Sequence, residues 1–163
     1  YCQNLLNYVD QIIDNVRRIS RDLRPAILED LGMTTAVRRL VKDFSDHNEI
    51  ESRCDMIDLD DRFTPDEQIS IYRILQESLT NVAKHAQADF VSLQITRQDD
   101  GTLFILRDNG KGFDIQKSLS KGSAPKGLGL AAMDERARML GGYLEVKSEE
   151  GKGTTVILLV PPK

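Results

Sequence analysis

The chain is organised around the segment Gln76-Glu77-Ser78-Leu79-Thr80-Asn81-Val82-Ala83-Lys84-His85-Ala86, inside a run of helical character from Pro65 to Ala86. At about 100° per residue, a set of apolar side chains falls on one side of this helix. They are Ile69, Tyr72, Leu75, Leu79, Val82 and Ala86. The sequence therefore predicts an amphipathic helix whose apolar side packs on a core.

The opposite side of the same helix carries polar residues within an arc of roughly 100°. They are Glu77, Asn81, Lys84 and His85. Carboxylate and amide oxygens suit Mg²⁺, and a lysine ammonium suits phosphate. A solvated face rarely needs an Asn, which is a mediocre helix former. This face therefore indicates a metal and phosphate site, and a solvated surface without a role is the alternative.

Composition favours one globular domain with an appendage, because 40% of the 163 residues are hydrophobic and 29% are charged. The net charge of −4 argues against a general nucleic-acid-binding surface. Cys2 and Cys54 lie far apart, fit no zinc pattern and are expected to be free thiols in a reducing cytosol. No apolar run approaches the roughly 20 residues of a membrane span, and no signal peptide is visible.

The first part of the chain has apolar residues at alternating steps of four and three. They are Leu5, Val9, Ile12, Val16, Ile19 and Leu23. This heptad spacing predicts a helical rod in a dimerising bundle, and a helix packed on its own domain is the alternative. Pro25 ends the rod. The chain begins abruptly in this pattern, so we expect a fragment of a parent protein with further segments upstream, where a membrane anchor could lie.

Two helix starts are visible downstream of the rod. Thr34 or Thr35 is expected to cap a second helix that runs through Phe44. Thr64 is expected to be the N-cap of the central helix, with a proline at N1 and Glu67 at N3 in a capping box.

Alternation of apolar and polar residues predicts strands on both sides of the central helix, with a helix between the later ones. The strands are expected at 50–59, 90–96, 103–107, 143–147 and 154–160, and the later helix at 127–140. Hairpins dominate the connections, so the fold class is an α/β (α+β) sandwich with a mixed, largely antiparallel sheet covered on one face by helices.

Three glycine-bearing segments punctuate this second half of the chain. Asp108-Asn109-Gly110-Lys111-Gly112-Phe113 follows a strand with no helix directly behind it, which excludes a P-loop and a dinucleotide-binding turn. Its glycines leave room for a flat ligand, and Asp108 offers an acceptor to a ligand amine. Gly127-Leu128-Gly129 precedes a helix whose N–H groups suit phosphate. Each segment, like Gly153-Thr154-Thr155, is also explained singly as an ordinary turn.

Taken together and in this order, these signals resemble the ATP-binding catalytic domain of a sensor histidine kinase, in the superfamily shared with gyrase, Hsp90 and MutL. The matching motifs are Glu77-x3-Asn81-x2-Lys84-His85, Asp108-x-Gly110-x-Gly112, Gly127-x-Gly129 and Gly153-Thr154. The segment 18–25 (Arg-Ile-Ser-Arg-Asp-Leu-Arg-Pro) with Leu28-x2-Leu31-Gly32-Met33 resembles the end of the dimerisation domain in the NarX/LiaS/DesK-like branch.

The resemblance implies the Bergerat ATP-binding fold over 48–163, a connecting helical region over 25–47, and part of the second dimerisation helix over 1–24. It also implies ATP and Mg²⁺ as ligands. Asn81 would bind the metal and Glu77 would position it or its water, as the catalytic pair. Lys84 and His85 would lie near the phosphates.

On the adenine side, the resemblance implies that Asp108 accepts the amino group and that Gly110, Gly112 and Phe113 shape the wall. Residues 114–126 would form an ATP lid, hinged at Gly127, Leu128 and Gly129. Thr154 or Thr155 would touch adenine, directly or through water.

The resemblance further implies a two-component kinase that phosphorylates a histidine and then a response regulator of the NarL type, as a homodimer in the cytoplasm. The only histidines are His47 and His85, and neither matches the acceptor position. We therefore expect an acceptor helix upstream of Tyr1 and no self-phosphorylation by this chain. The alternatives are a related ATPase or anti-sigma-type serine kinase, and a degenerate scaffolding domain.

Overall fold

The computed structural model describes residues 26–114 and 128–162. The predicted rod at 1–24, most of the predicted lid and Gly127 lie outside the described residues. In chain order the elements are α1 (Ala26–Asn48), β1 (Glu51–Met56), α2 (Pro65–Asn81), a π-helical turn (Val82–Ala86), β2 (Phe90–Gln98), β3 (Gly101–Asp108), α3 (Leu128–Met139), β4 (Tyr143–Ser148) and β5 (Thr154–Val160).

Five strands form one mixed sheet in the order β1-β2-β3-β5-β4. The β1–β2 pair is parallel and the other three pairs are antiparallel, as the sequence predicts. Apolar residues meet across the ladder, for example Phe104 opposite both Ile95 and Leu158. These cross-strand pairs face the helices and form the centre of the core.

The central helix α2 begins as the sequence predicts. The Thr64 hydroxyl accepts the N–H of Glu67, and the Glu67 carboxylate accepts the N–H of Thr64 at 2.8 Å. This reciprocal pair satisfies N–H groups that a helix start leaves without partners. The buried side of α2 is wider than the predicted one, because Ile71, Ile74 and Ser78 are also buried. Helix α3 packs against α2, whose buried side is widened by these residues.

Helix α1 begins earlier than predicted and contains a break at Gly32, whose φ of 75° and ψ of 166° are not helical. Neither Thr34 nor Thr35 acts as the expected cap. The Thr34 hydroxyl instead donates to Asp58 at 2.7 Å and accepts the N–H of Leu59. The Thr34 N–H donates to the carboxylate of Asp60 at 3.0 Å, so the acceptor comes from the loop after β1. The predicted cap was wrong because the hydrogen-bond partners of Thr34 lie far along the chain, in the loop after β1.

Helix α1 contributes to the same core as α2 and the sheet. Its inward residues are buried, and they are Leu28, Met33, Ala36, Val37, Val41 and Phe44. Helix α3 closes the core from the other end and stops where predicted. There the N–H groups of Gly141 and Gly142 donate to the carbonyls of Arg138 and Ala137, a Schellman ending. Within the described ranges, no helix has the length and apolar character to cross a bilayer.

Candidate functional site

The end of the central helix departs from the predicted uninterrupted α-helix. After Asn81 the chain forms a π-helical turn over Val82–Ala86 and leaves it through Gln87 in the left-handed region, with φ 53°. Val82 and Ala86 are buried, while Lys84 and His85 are exposed. The Ala86 carbonyl, free of the helix ladder, accepts the N–H of Lys111 at 2.7 Å. Single π-turns inside helices are frequent at functional sites.

The turn after β3 packs directly on this helix end. A Cβ on Gly110 would overlap the Ala86 carbonyl oxygen, so the two backbones approach as only glycine allows. Gly112 has φ 59°, and a Cβ there would overlap the carbonyl oxygen of Glu149. Both glycines are needed for these close approaches. The turn is therefore held between the helix end and the β4–β5 connection.

Asn109 has a structural role in this turn. Its Oδ1 accepts the N–H groups of Asp89 and Phe90 at 3.2 and 3.1 Å, and its Nδ2 donates to the Asp89 carboxylate at 2.6 Å. These bonds tie the turn to the start of β2. Asn109 therefore stabilises the turn through contacts within the protein, with no ligand involved.

Asp108 is a buried acid, with a side chain exposed to only 3%. Its Oδ1 accepts the N–H of Gly110 at 2.8 Å, and the N–H of Thr154 also donates to the carboxylate. Burial raises the pKa of the Asp108 carboxyl above its ordinary value, and the main-chain N–H groups of Gly110, Thr154 and Asp108 itself act in the opposite direction. This carboxylate is thus held as a fixed acceptor next to the terminal strand.

A cavity of about 230 Å³ opens between the end of α2, the turn after β3, helix α3 and the sheet. Its lining combines polar residues on one side with an apolar floor. The lining residues are Ser78, Asn81, Val82, Lys84, His85, Ala86, Leu106, Lys111, Gly112, Phe113, Leu130, Met133, Val146, Thr154 and Val156.

Most of the predicted site residues meet at this cavity. Asn81, Lys84, His85, Gly112, Phe113 and Thr154 line it. Asp108 and Gly110 are buried beside it without lining it, and Thr155 pairs with Arg107 in the ladder. The side chain of Leu128, like Gly127, lies outside the described residues.

Glu77 is half-buried one turn before Asn81 and does not line the cavity. A Cβ on Gly129 would overlap its Oε1, so the start of α3 lies against this carboxylate. The N-terminal N–H groups of a helix favour a negative charge at that place. Glu77 and the Gly129 segment, which the sequence treats as separate motifs, are therefore in contact.

Sequence reasoning missed the apolar floor and two polar residues. The apolar floor is formed by Met133, Leu106 and Val156. These residues belong to strands or helices that the sequence predicts, but their position at the bottom of the cavity depends on how these elements pack. Lys111 lines the cavity between the two predicted glycines. Ser148, at the end of β4, bonds to the turn after β3 and to the β4–β5 connection.

The lining of the cavity carries basic side chains. Lys84, Lys111 and His85 line it, whereas no Asp or Glu of the described residues does. Such a lining attracts an anion, while the floor of Leu, Met and Val side chains accepts a flat apolar ring. The cavity thus suits a ligand with an aromatic ring at one end and an anionic group at the other.

Comparison with known proteins agrees with this geometry. The family model described as histidine kinase-, DNA gyrase B- and HSP90-like ATPase matches residues 66–163. The chain belongs to this family. The match includes α2, the turn after β3 and the last two strands, which are the elements that surround the cavity. Membership of this ATPase family supports ATP as the nucleotide that the domain binds.

Two curated relatives align with almost the whole chain. The signal transduction histidine-protein kinase/phosphatase DegS of Brevibacillus brevis is 36% identical over 159 residues, covering 98% of this chain and 40% of that protein. The oxygen sensor histidine kinase NreB of Staphylococcus carnosus is 34% identical over 155 residues, covering 94% of this chain and 43% of that protein. The chain thus spans about two fifths of the length of these relatives.

Solved structures share the fold of this ATPase family member. The histidine kinase domain of the Erythrobacter litoralis EL346 blue-light activated histidine kinase has a TM-score of 0.65 at 20% identity, covering 80% of this chain and 60% of that chain. The Acinetobacter baumannii histidine kinase AdeS has a TM-score of 0.66 at 17% identity, covering 99% and 84%. At these identities the likeness concerns the fold alone.

Proposed function

We propose that this chain is the ATP-binding kinase core of a two-component sensor histidine kinase, which binds Mg-ATP and passes its γ-phosphate to a histidine and then to a response regulator. The observation that carries the proposal is the cavity where Asn81 and two lysines face an apolar floor beside a buried aspartate. The family assignment and the names of the aligned relatives support it.

In this proposal each wall of the cavity has one task. The ring of the nucleotide lies on the apolar floor between Phe113 and Met133, and Asp108 and Thr154 are the acceptors at its edge. The phosphates extend toward Lys84 and His85 on the π-helical turn. Lys111 lines the cavity with both main-chain groups engaged: its N–H donates to Ala86 and its carbonyl accepts from Gly151. Its ammonium is therefore the group left to meet the ligand anion.

The metal ligands in this proposal are few. Among residues 26–114 and 128–162, no three His, Cys, Asp or Glu side chains are grouped to hold a metal ion. Mg²⁺ commonly keeps several waters and binds through one or two protein oxygens plus substrate phosphates. The oxygen of Asn81 fits that pattern, and Glu77, one turn earlier, would orient the metal or its water. The bound metal would neutralise phosphate charge during transfer.

Neither histidine of this chain is placed to be the phosphate acceptor. His47 lies at the end of α1, with its Nδ1 2.6 Å from the Asp43 carbonyl, and is not part of the cavity. His85 lines the cavity on the same turn as Lys84. We therefore propose an acceptor on a dimerisation helix of a longer protein, a homodimeric arrangement there, and a NarL-type response regulator as partner.

The decisive experiment is a calorimetric titration of ATP into the chain with Mg²⁺ and with EDTA, comparing Asn81→Ala with Asn48→Ala. Asn48 lies at the end of α1, where its amide donates to the Phe44 carbonyl, so it is a matched control. We expect Asn81→Ala to weaken ATP binding in Mg²⁺ by about tenfold or more, with a smaller change in EDTA. Asn48→Ala should bind like the wild type.

Equal ATP affinity of Asn81→Ala and wild type in Mg²⁺ would show that this face of α2 is merely solvated. The transfer step is tested by adding labelled ATP, an upstream acceptor helix and a response regulator. Acid-labile phosphate on the helix and then acid-labile acyl phosphate on the regulator supports the kinase. ATP binding without either product indicates an ATPase of the same family.

A further inference from the structure

Ser148, the last residue of β4, lies where the turn after β3 meets the β4–β5 connection. Resting on the proposed function, we propose that Ser148 is a positioning residue that fixes the Thr154 hydroxyl as a hydrogen-bond acceptor. The site then selects a purine with a 6-amino group over one with a 6-oxo group. Neither the sequence motifs nor the names of the relatives assign a role to this serine.

Three hydrogen-bonding groups surround the Ser148 hydroxyl. The N–H of Phe113 donates to its oxygen at 2.9 Å. The carbonyl oxygen of Gly153 is 3.0 Å away, and the hydroxyl oxygen of Thr154 is 2.9 Å away. Ser148 itself is half-buried. It therefore joins two segments that line the cavity through Phe113 and Thr154.

The chemistry of these groups sets the direction of every bond. A carbonyl oxygen only accepts, so the single hydroxyl proton of Ser148 is donated to Gly153. The Ser148 oxygen then accepts from the N–H of Phe113 and from the hydroxyl of Thr154. This is the one assignment that satisfies all three contacts. The proton of Thr154 is thereby engaged, so toward a ligand in the cavity that Thr154 lines its hydroxyl can only accept.

A second acceptor is fixed next to the first. The carboxylate of Asp108 receives the main-chain N–H of Gly110 at 2.8 Å, and the main-chain N–H of Thr154 is close enough to lower the pKa of Asp108. The backbone conformation supports this closeness. Gly153 has φ 76°, and a Cβ there would overlap the Asp108 carbonyl oxygen. Two acceptors thus lie next to each other, with Thr154 in the lining of the cavity and the Asp108 carboxylate buried beside it.

Two adjacent acceptors require a ligand edge that donates. The 6-amino group of adenine donates, whereas the 6-oxo group of hypoxanthine or guanine accepts. The ring N1–H of a 6-oxo purine still donates, but its exocyclic oxygen would face acceptors where the adenine amino group donates, and binding sites reject such an unpaired contact strongly. If Thr154 were free to turn, its hydroxyl could donate to the 6-oxo group and much of this discrimination would be lost. Ser148 prevents that rotation.

The test is the ratio of the dissociation constants for ITP and ATP, measured by calorimetry with Mg²⁺ for wild type, Ser148→Ala and Ser148→Thr. We expect the wild type to prefer ATP by about tenfold or more and Ser148→Ala to lose several-fold of that preference. Ser148→Thr restores the hydroxyl and should restore the ratio. A purely structural loss would weaken both nucleotides equally and leave the ratio unchanged.

Two further variants make the result decisive. Ser70→Ala removes a hydroxyl that donates to the Asp66 carbonyl within α2 and should keep the wild-type ratio. Thr154→Val removes the fixed acceptor and serves if Ser148→Ala does not fold. It should lower the ratio, and adding Ser148→Ala should lower it no further. An unchanged ratio in Ser148→Ala or in Thr154→Val, or a wild type without preference, overturns the role of Ser148. A wild type that fails to bind ATP overturns the proposed function instead.

Discussion

Asp108 is the residue at which stability and function oppose each other. Its carboxyl is buried to 3% exposure, and burial raises its pKa. Between the ordinary and the raised pKa, the folded protein retains a proton that the unfolded chain releases. The contribution of this group to stability is therefore complete at low pH and is lost as the pH rises through that window. The negative charge of the ionised Asp108 carboxylate is unfavourable for folding, but the same charge favours the binding of an amine.

Replacing Asp108 by Asn removes the ionisation and keeps the shape. Relative to wild type, we expect the free energy of unfolding of Asp108→Asn to increase as the pH rises from the ordinary pKa of an aspartate through the raised one, because only the wild type ionises a buried carboxyl there. Urea unfolding across this pH range measures the difference. ATP affinity should fall by about tenfold, since an amide no longer offers two acceptor oxygens.

Asp100→Asn is the matched control, because Asp100 is exposed in the β2–β3 hairpin turn. It should change neither the pH profile nor ATP binding. A stability difference between Asp108→Asn and wild type that stays constant over the whole pH range would contradict the account of Asp108 as a buried acid.

At the scale of elements, local signals in the sequence were sufficient where the partners are close along the chain. The capping box of Thr64 and Glu67 spans one turn, and the short connection at Asp99-Asp100-Gly101 joins β2 and β3, two strands that the sequence predicts next to each other along the chain. The mixed, largely antiparallel character of the sheet is also as predicted, whereas the strand order and the identity of the parallel pair are known only from the structure. Propensity and periodicity describe such neighbours well.

The features that the sequence did not predict depend on distant partners. The break in α1 is closed by Asp58 and Asp60, which lie 24 and 26 residues further along the chain than Thr34. The π-helical turn accompanies the bond from Lys111 to the Ala86 carbonyl, which forms only when the turn after β3 packs there. The candidate site shows the same division. Each of its motifs can be recognised in the sequence, but the hydrogen bonds of Ser148 and the apolar floor arise only from the packing of distant segments.

The hydrogen bond at the break in α1 leads to a prediction about the stability of this helix. Asp60→Ala leaves the N–H of Thr34 without its carboxylate acceptor, which resembles the loss of a helix cap. We expect a cost of about 1 kcal/mol in the free energy of unfolding and a midpoint lower by about 2–4 °C. Thermal unfolding followed by circular dichroism measures it.

Asp55→Ala controls for the loss of an acidic residue, because Asp55 is exposed on the edge strand β1. Its midpoint should stay close to that of the wild type. If Asp60→Ala and Asp55→Ala unfold at the same temperature, the bond to Thr34 contributes nothing to the stability of α1.

At the scale of the whole molecule, the core extends beyond the residues that the family model matches. The match begins at residue 66, yet Met33 and Val37 of α1 are fully buried in the same cluster as Phe104 and Leu158 of the sheet. A single contiguous core usually unfolds in one cooperative transition. The helix before the matched residues is thus expected to share the stability of the nucleotide-binding unit.

Met33→Ala tests this directly, and Met139→Ala is its matched control. Met33 has no exposed surface, whereas Met139 is 75% exposed. Removing the buried side chain should cost about 2–5 kcal/mol and lower the midpoint of the single transition by about 5–15 °C, while Met139→Ala should shift it by less than about 2 °C. Saturating Mg-ATP should raise both midpoints by similar amounts, because neither methionine lines the cavity. A second transition in Met33→Ala, with only the later one raised by Mg-ATP, would show instead that α1 unfolds separately from the nucleotide site.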